Sequence, residues 1–180
     1  MDTVFRIARG LASRLRNLGY RGLGMHIEGR AWLRKIEAPS GWKHICLGDG
    51  AALDHGVQLV VGQGADGLAL RVGKSCYVNR FTTLEAHRSL TIGDGCLIGP
   101  YCYLTDAEHE VAPEQPVREQ PLDYRPTLIE DNVWIGAHVT VRAGVNIGQG
   151  AVIGAGSVVT SDIPPMAIAF GSPAKVHRQR

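Results

Sequence analysis

Residues 129–159 read IEDNVWIGAHVTVRAGVNIGQGAVIGAGSVV, and the stretch repeats every six residues. An aliphatic residue opens each unit: Ile129, Ile135, Val141, Ile147, Ile153 and Val159. A small or β-branched residue follows at position five: Val133, Val139, Val145, Ala151 and Ser157. Working outward toward the N-terminus, the same frame picks up Leu47, Leu53 and Leu59, then Val72, Val78 and Leu84, then Ile92, Ile98 and Leu104. Five groups of three give fifteen hexapeptides. Within a group the step is always six; between groups it is 13 (59 to 72), 8 (84 to 92), 25 (104 to 129) and 6 (141 to 147). Every insertion therefore follows a third hexapeptide. A prism with three strands per turn accounts for this, because insertions then loop out at one shared corner.

Such a chain is a solenoid, in which each coil pairs its backbone with the coils on either side. Position one points inward and stacks on its counterpart one strand spacing away, about 4.8 Å. Position five also points inward, where room is short. Its columns read Ala51, Cys76, Cys96, Val133, Ala151 and Val57, Thr82, Cys102, Val139, Ser157. Three of the four cysteines are thereby expected to be small buried hydrophobes. With no CxxC pair, all four are read as reduced thiols of a cytoplasmic protein. Glycines at position two (Gly48, Gly73, Gly93, Gly99, Gly136, Gly148 and Gly154) are expected at tight corners that a Cβ would strain.

The remaining composition narrows the function classes. The 180 residues carry a net charge of +2 with acids and bases interspersed, which gives no reason to expect a nucleic-acid partner. Residues 3–18 place Val4, Ile7, Ala8, Leu11, Leu15 and Leu18 on one helical stripe, bordered by Arg6, Arg9, Arg14 and Arg16. Two readings stay open: the stripe docks on the prism or a neighbouring subunit, or residues 1–20 lie on an anionic membrane surface. Those arginines also rule out a signal-peptide core. The domain layout is thus an amphipathic helix over 1–24, the β-helix over 25–163 with loop 107–127 inserted, and a tail over 164–180 that breaks the period at Pro164–Pro165.

The segment from Asn132 to Val176, with NVWIGA, IGAGSVVT and GSPAK in that order, resembles the galactoside and maltose O-acetyltransferase family, which includes acetyltransferases of bacterial surface-polysaccharide synthesis. The resemblance covers roughly residues 70–177. It implies a left-handed parallel β-helix, since parallel crossovers are otherwise right-handed. It also implies a homotrimer and acetyl-CoA bound between neighbouring prisms, with no metal. The acceptor it implies is a sugar hydroxyl, with a lipid-linked glycan precursor favoured by the basic helix and an antibiotic or other small molecule as the alternative.

The family's site residues carry over one by one. His109, in YLTDAEHE where the longest insertion leaves the prism, matches the catalytic histidine. An imidazole of ordinary pKa takes a hydroxyl proton at neutral pH. Glu108, Glu110 or a backbone carbonyl is expected to orient it. Asn79 and Glu85 match an Asn and an acidic residue that bind substrate, the Glu85 match being looser because the corner there is one residue longer than in some relatives. Trp134 matches the aromatic residue beside the cofactor, and Ala137, Ala155, Thr160, Ser161 and Lys175 match coenzyme-contacting positions. Some relatives carry a hydroxyl where this chain has Ala137, so oxyanion stabilisation falls to backbone N–H groups. The competing readings are a γ-type zinc carbonic anhydrase, which needs a close histidine pair that His26, His44, His55, His87, His109, His138 and His177 do not form, and a non-catalytic scaffold.

Overall fold

A computed structural model describes residues 2–63 and 65–180 of the chain, with the side chains of residues 2–7 and of Arg9 outside the description. Val4, Arg6, Ile7 and Arg9 of the expected stripe and its border therefore lie outside the described side chains. The N-terminal helix runs over Asp2–Gly22, and a three-sided parallel β-helix follows. The first sheet stacks six strands, from His26–Ile27 through Ile45–Leu47, Leu70–Val72, Leu90–Ile92 and Thr127–Ile129 to Asn146–Ile147. The second begins Trp32–Leu33, Ala52–Leu53, Tyr77–Val78, Leu97–Ile98, Trp134–Ile135, Val152–Ile153. The third stacks Gln58–Val61, Thr83–Ala86, Tyr103–Thr105, Thr140–Val141 and Val158–Val159.

The registers follow the hexapeptide frame. On the first face Leu47 pairs with Val72, Val72 with Ile92, Ile92 with Ile129 and Ile129 with Ile147. The second face pairs Leu53, Val78, Ile98, Ile135 and Ile153 in succession, and the third Leu59, Leu84, Leu104, Val141 and Val159. All fifteen are buried, each worth roughly 1.5–3 kcal/mol relative to exposure. Cys76, Cys96 and Cys102 are buried free thiols in the position-five columns. The two hydroxyls among them are satisfied: Thr82 Oγ1 donates to Gly99 O at 2.8 Å and Ser157 Oγ to Gly154 O at 2.6 Å.

The glycines need a correction. None of the position-two glycines has a positive φ. At six of the seven the next coil's backbone occupies the Cβ position: a Cβ on Gly73 would lie 2.4 Å from Gly93 O, and one on Gly99 2.6 Å from Gly136 C; at Gly154 the Phe170 side chain does. The left-handed backbone sits at position four instead. There Gly50, Gly56, Gly95, Gly144, Gly150 and Gly156 alternate with Ser75, Phe81, Tyr101, Asn132 and His138, all with φ between 54° and 82°.

The helix docks in a way the apolar stripe did not suggest. Its polar side faces the prism and covers the exposed edge of the second sheet. Leu33 N–H donates to Ser13 Oγ at 2.9 Å, and Ala31 exchanges two hydrogen bonds with the Asn17 amide, at 2.8 and 3.1 Å. Arg16 reaches Leu33 O at 3.1 Å and Tyr20 reaches Ile36 O at 3.3 Å. Backbone groups that a missing coil would have paired are thus satisfied by side chains. Leu11, Leu15 and Leu18, on the opposite side, are 55%, 69% and 65% exposed. For Leu11, Leu15 and Leu18 the expectation that the stripe packs on its own prism is overturned.

At the other end the period resumes after Pro164–Pro165. Ala167–Gly171 adds a parallel strand to the second sheet, and Ala174–Gln179 folds back on it antiparallel. That final edge carries Lys175 and Arg178, charges of the kind that discourage edge-to-edge pairing.

Candidate active site

The long insertion folds as a hairpin on the side of the prism where the third face turns into the first. Ala107–His109 pairs antiparallel with Leu122–Tyr124, matching His109 with Leu122. Inside the turn, the Gln120 amide bridges Ala112 and Gln115, donating to Ala112 O at 2.9 Å and Gln115 O at 2.7 Å. Residues 109–119 are exposed, so the hairpin protrudes.

Two carboxylates fix its root. Asp106, fully buried, accepts from the backbone N–H groups of His87, Arg88 and Ser89 at 2.8, 2.6 and 2.5 Å. Glu108 takes both Nε and Nη2 of Arg142 at 2.5 Å and Nη2 of Arg125 at 2.9 Å. The Arg142 hydrogen bonds outweigh partial burial and hold the Glu108 carboxyl below its ordinary range. Glu108 is therefore engaged with arginines and does not orient His109, and Glu110 contributes a backbone N–H to Pro121 O at 3.1 Å. The His109 side chain is exposed, and no hydrogen bond among the described residues reaches its ring.

Of the acceptor candidates, Glu85 lies in the third-face strand directly beside Thr105, near that root. It accepts from Tyr103 Oη at 2.6 Å and pairs with His87 Nε2 at 3.0 Å. Burial raises the Glu85 carboxyl, yet the Tyr103 and His87 contacts more than offset it and leave it below its ordinary range. Burial and the same carboxylate push the Tyr103 phenol up to about 12. His87 also packs against Tyr124 of the hairpin, ring centroids 5.7 Å apart. Asn79 is elsewhere, at the corner between second and third faces, where its Oδ1 accepts from Arg80 N–H at 2.8 Å.

That corner also holds Ala137 and Ala155, stacked so that Gly156 N–H donates to Ala137 O at 2.8 Å. Beside them runs a ladder of rings: Phe81 and Tyr101 stack at 5.3 Å, Tyr101 and His138 at 5.0 Å. Trp134 projects from the second face, 56% exposed. Lys175 pairs with Phe170, whose Cβ would sit 2.7 Å from a Cβ on Gly154, so it overlooks the Ala155 corner. Thr160 and Ser161 follow the last third-face strand and so lie across the third face, on the corner that also carries the hairpin. One chain does not gather these six into a single pocket. A cleft of about 420 Å³ lies at the opposite end, between helix and first coil, lined by Ser13, Asn17, Leu18 and Trp32. Its Ser13 and Asn17 side chains are already used in docking the helix.

Sequence reasoning missed Asp106, His87, Tyr103 and Arg142. None left a local signal; Asp106, for one, accepts from backbone N–H groups 17 to 19 residues upstream. Among the described residues no group of three His, Cys, Asp or Glu is placed to hold a metal ion.

Residues 126–161 match the bacterial transferase hexapeptide (six repeats) family. The galactoside O-acetyltransferase of Escherichia coli is 41% identical over 113 residues, which are 63% of this chain and 55% of that protein, so the match spans about half the relative's length. Nodulation protein L of Rhizobium leguminosarum bv. viciae is 38% identical over 160 residues, covering 81% of this chain and 80% of that one. A solved galactoside acetyltransferase in complex with coenzyme A superposes with a TM-score of 0.57 at 31% identity, over 86% of this chain and 64% of that one. With a relative of that identity matched over four-fifths of both chains, and with the six-residue frame visible in every sheet, this chain belongs to the hexapeptide-repeat acetyltransferase family.

Proposed function

We propose that this protein transfers an acetyl group from acetyl-CoA to a sugar hydroxyl in bacterial cell-surface glycan biosynthesis, with His109 as the general base. The observation that carries the reading is an exposed, unengaged imidazole at the root of a fixed hairpin, in a chain similar to nodulation protein L over most of its length. His109 removes the acceptor hydroxyl's proton as its oxygen attacks the thioester carbonyl. The tetrahedral intermediate collapses to the ester, the thiolate leaves, and the imidazolium returns the proton to it. Backbone N–H groups at Ala137 and Ala155 stabilise the oxyanion, since neither side chain has a donor. Glu85 and Asn79 hold the acceptor.

The coil is left-handed and the working unit a homotrimer. What supports the trimer is the scatter of the cofactor residues over the second face and two corners of one prism. Adjoining copies set one chain's Ala137–Ala155 corner against a neighbour's hairpin, with Trp134 and Thr160–Ser161 bordering the acetyl-CoA groove and Lys175 on a coenzyme phosphate. Lys175→Glu should raise the KM for acetyl-CoA about tenfold and that for acceptor far less, because a reversed charge replaces attraction by repulsion. An unchanged KM for acetyl-CoA would remove Lys175 from the phosphate site.

The protein works in the cytoplasm, held to the inner membrane surface by the outward face of its helix. No helix among the described residues is long and apolar enough to cross a membrane. Among the described side chains, Arg16 and Arg21 are spent on backbone carbonyls, and Arg14 lies beside the leucines on the outer side. Changing Leu11, Leu15 and Leu18 to Gln should leave the prism's thermal midpoint near its original value, because Ser13 and Asn17 are kept. The same variant should no longer sediment with anionic vesicles at low salt. Wild-type protein that ignores such vesicles would sink the membrane contact, and a variant that loses its oligomeric state would assign the stripe to a subunit interface.

A further inference from the structure

His109 is exposed, yet a general base must be held within a few tenths of an ångström of its task. Nothing among the described residues grips the ring, so its position is set by the strand that carries it. In the two-stranded hairpin, side chains alternate sides. Ala107 is buried and His109 shares its side, while Glu108 projects the other way. There it meets Arg142, which follows the third-face strand Thr140–Val141 one coil further along the prism. The contact is bidentate, Nε to Oε1 and Nη2 to Oε2, and the Glu108 side chain is only 22% exposed. Arg125, just after the hairpin's return strand, joins it and also bonds Asp123 Oδ2 at 3.0 Å. The hairpin's first strand is thereby tied to a coil that does not itself carry the base, and Arg125 ties the return side to that first strand.

We propose that Arg142, acting through Glu108, is a positioning residue for His109: it locks the angle at which the hairpin leaves the prism and so the direction in which the imidazole faces. A planar two-point contact fixes an angle where a single-point ion pair would allow swivel. The residues are 34 apart in sequence, so the lock forms only once the coil carrying Arg142 has stacked on the one before it. The proposal rests on the reading of His109 as base, and its test separates the two.

Arg142→Met keeps the aliphatic stem and removes the fork. The expected result is a kcat lowered about 10- to 100-fold with the KM for acetyl-CoA within about twofold, since a 1 Å misplacement costs on that order. In a His109→Ala background the same change should cost nothing further, because the group it positions is gone. Arg142→Lys should recover part of the loss. The ring C–H resonances of His109 should move or broaden in Arg142→Met relative to wild type. An equal loss of turnover in both backgrounds, or an unmoved His109 signal, would overturn the positioning role. A His109→Ala enzyme that stays active while the His109 signal still responds to Arg142→Met would sink only the base assignment. Should Arg142→Met fail to fold, Glu108→Gln preserves volume, weakens the same contact and is read by the same measurements.

Discussion

Replacing His109 with Ala should lower kcat by about 10²- to 10⁴-fold, the usual worth of a general base, while leaving the fold and the binding of acetyl-CoA as they are. The fold should be untouched because the imidazole makes no hydrogen bond among the described residues and lies outside the core. Coenzyme binding should change little, because Trp134, Ala137, Ala155 and Lys175 are on other parts of the prism and only Thr160 and Ser161 share the hairpin's corner. Steady-state kinetics beside a thermal melt checks both halves. A variant within about threefold of wild type would show that the proton goes elsewhere. The first place to look would be His87, already paired with Glu85 at 3.0 Å and packed against the hairpin.

The second large effect concerns the prism itself. Gly99→Ala should destabilise the protein by about 2–3 kcal/mol, as expected for overpacking between parts that cannot move aside. An added Cβ would lie 2.6 Å from Gly136 C and O and 2.7 Å from Ala137 N, all backbone of the next coil. The inter-coil hydrogen bonds across that contact, such as Gly99 N to Ile135 O at 2.8 Å, would have to stretch. Gly156→Ala is the control. Its φ is +70°, but nothing lies within 4 Å of the new methyl, and Phe81, Tyr101 and His138 adopt the same conformation at equivalent positions. It should cost roughly 1 kcal/mol, the ordinary price of left-handed backbone for an L-residue. Urea denaturation with unchanged slope gives both values. The reverse ranking would mean that coil stacking does not dictate glycine at position two.

The period was legible in the chain because each position-one residue has a single role, stacking on residues whose sequence distance is fixed by the coil. The same logic located the corner for insertions, and all of them fall between third-sheet and first-sheet strands. What escaped were features that depend on an end or on a neighbouring coil. Leucines at 11, 15 and 18 read as a face that either docks on protein or lies on a membrane surface. The sheet edge, however, needed hydrogen-bond partners more than apolar cover, and Ser13 and Asn17, one turn apart on the other side, supplied them. Pro164–Pro165 read as a stop, although the apolar run Ala167–Ala169 restarts the second sheet two residues later. At the site, the histidine and its loop could be placed from the resemblance. The groups that fix them could not. Asp106 serves backbone amides 17 to 19 residues upstream, and Glu108 meets Arg142 a coil away, so neither leaves a local pattern.

The most direct test of sugar O-acetylation is thiol release from acetyl-CoA by the purified full chain, with galactosides, lipid-linked glycan precursors and amino sugars offered in turn, and products read by mass spectrometry. The expected result is thiol release that requires a sugar hydroxyl, one acetyl added per thiol, and an acetyl group removed by mild alkali as an ester is. Release confined to amino acceptors, with an alkali-resistant amide as product, or no acceptor-dependent release from any sugar, would contradict it.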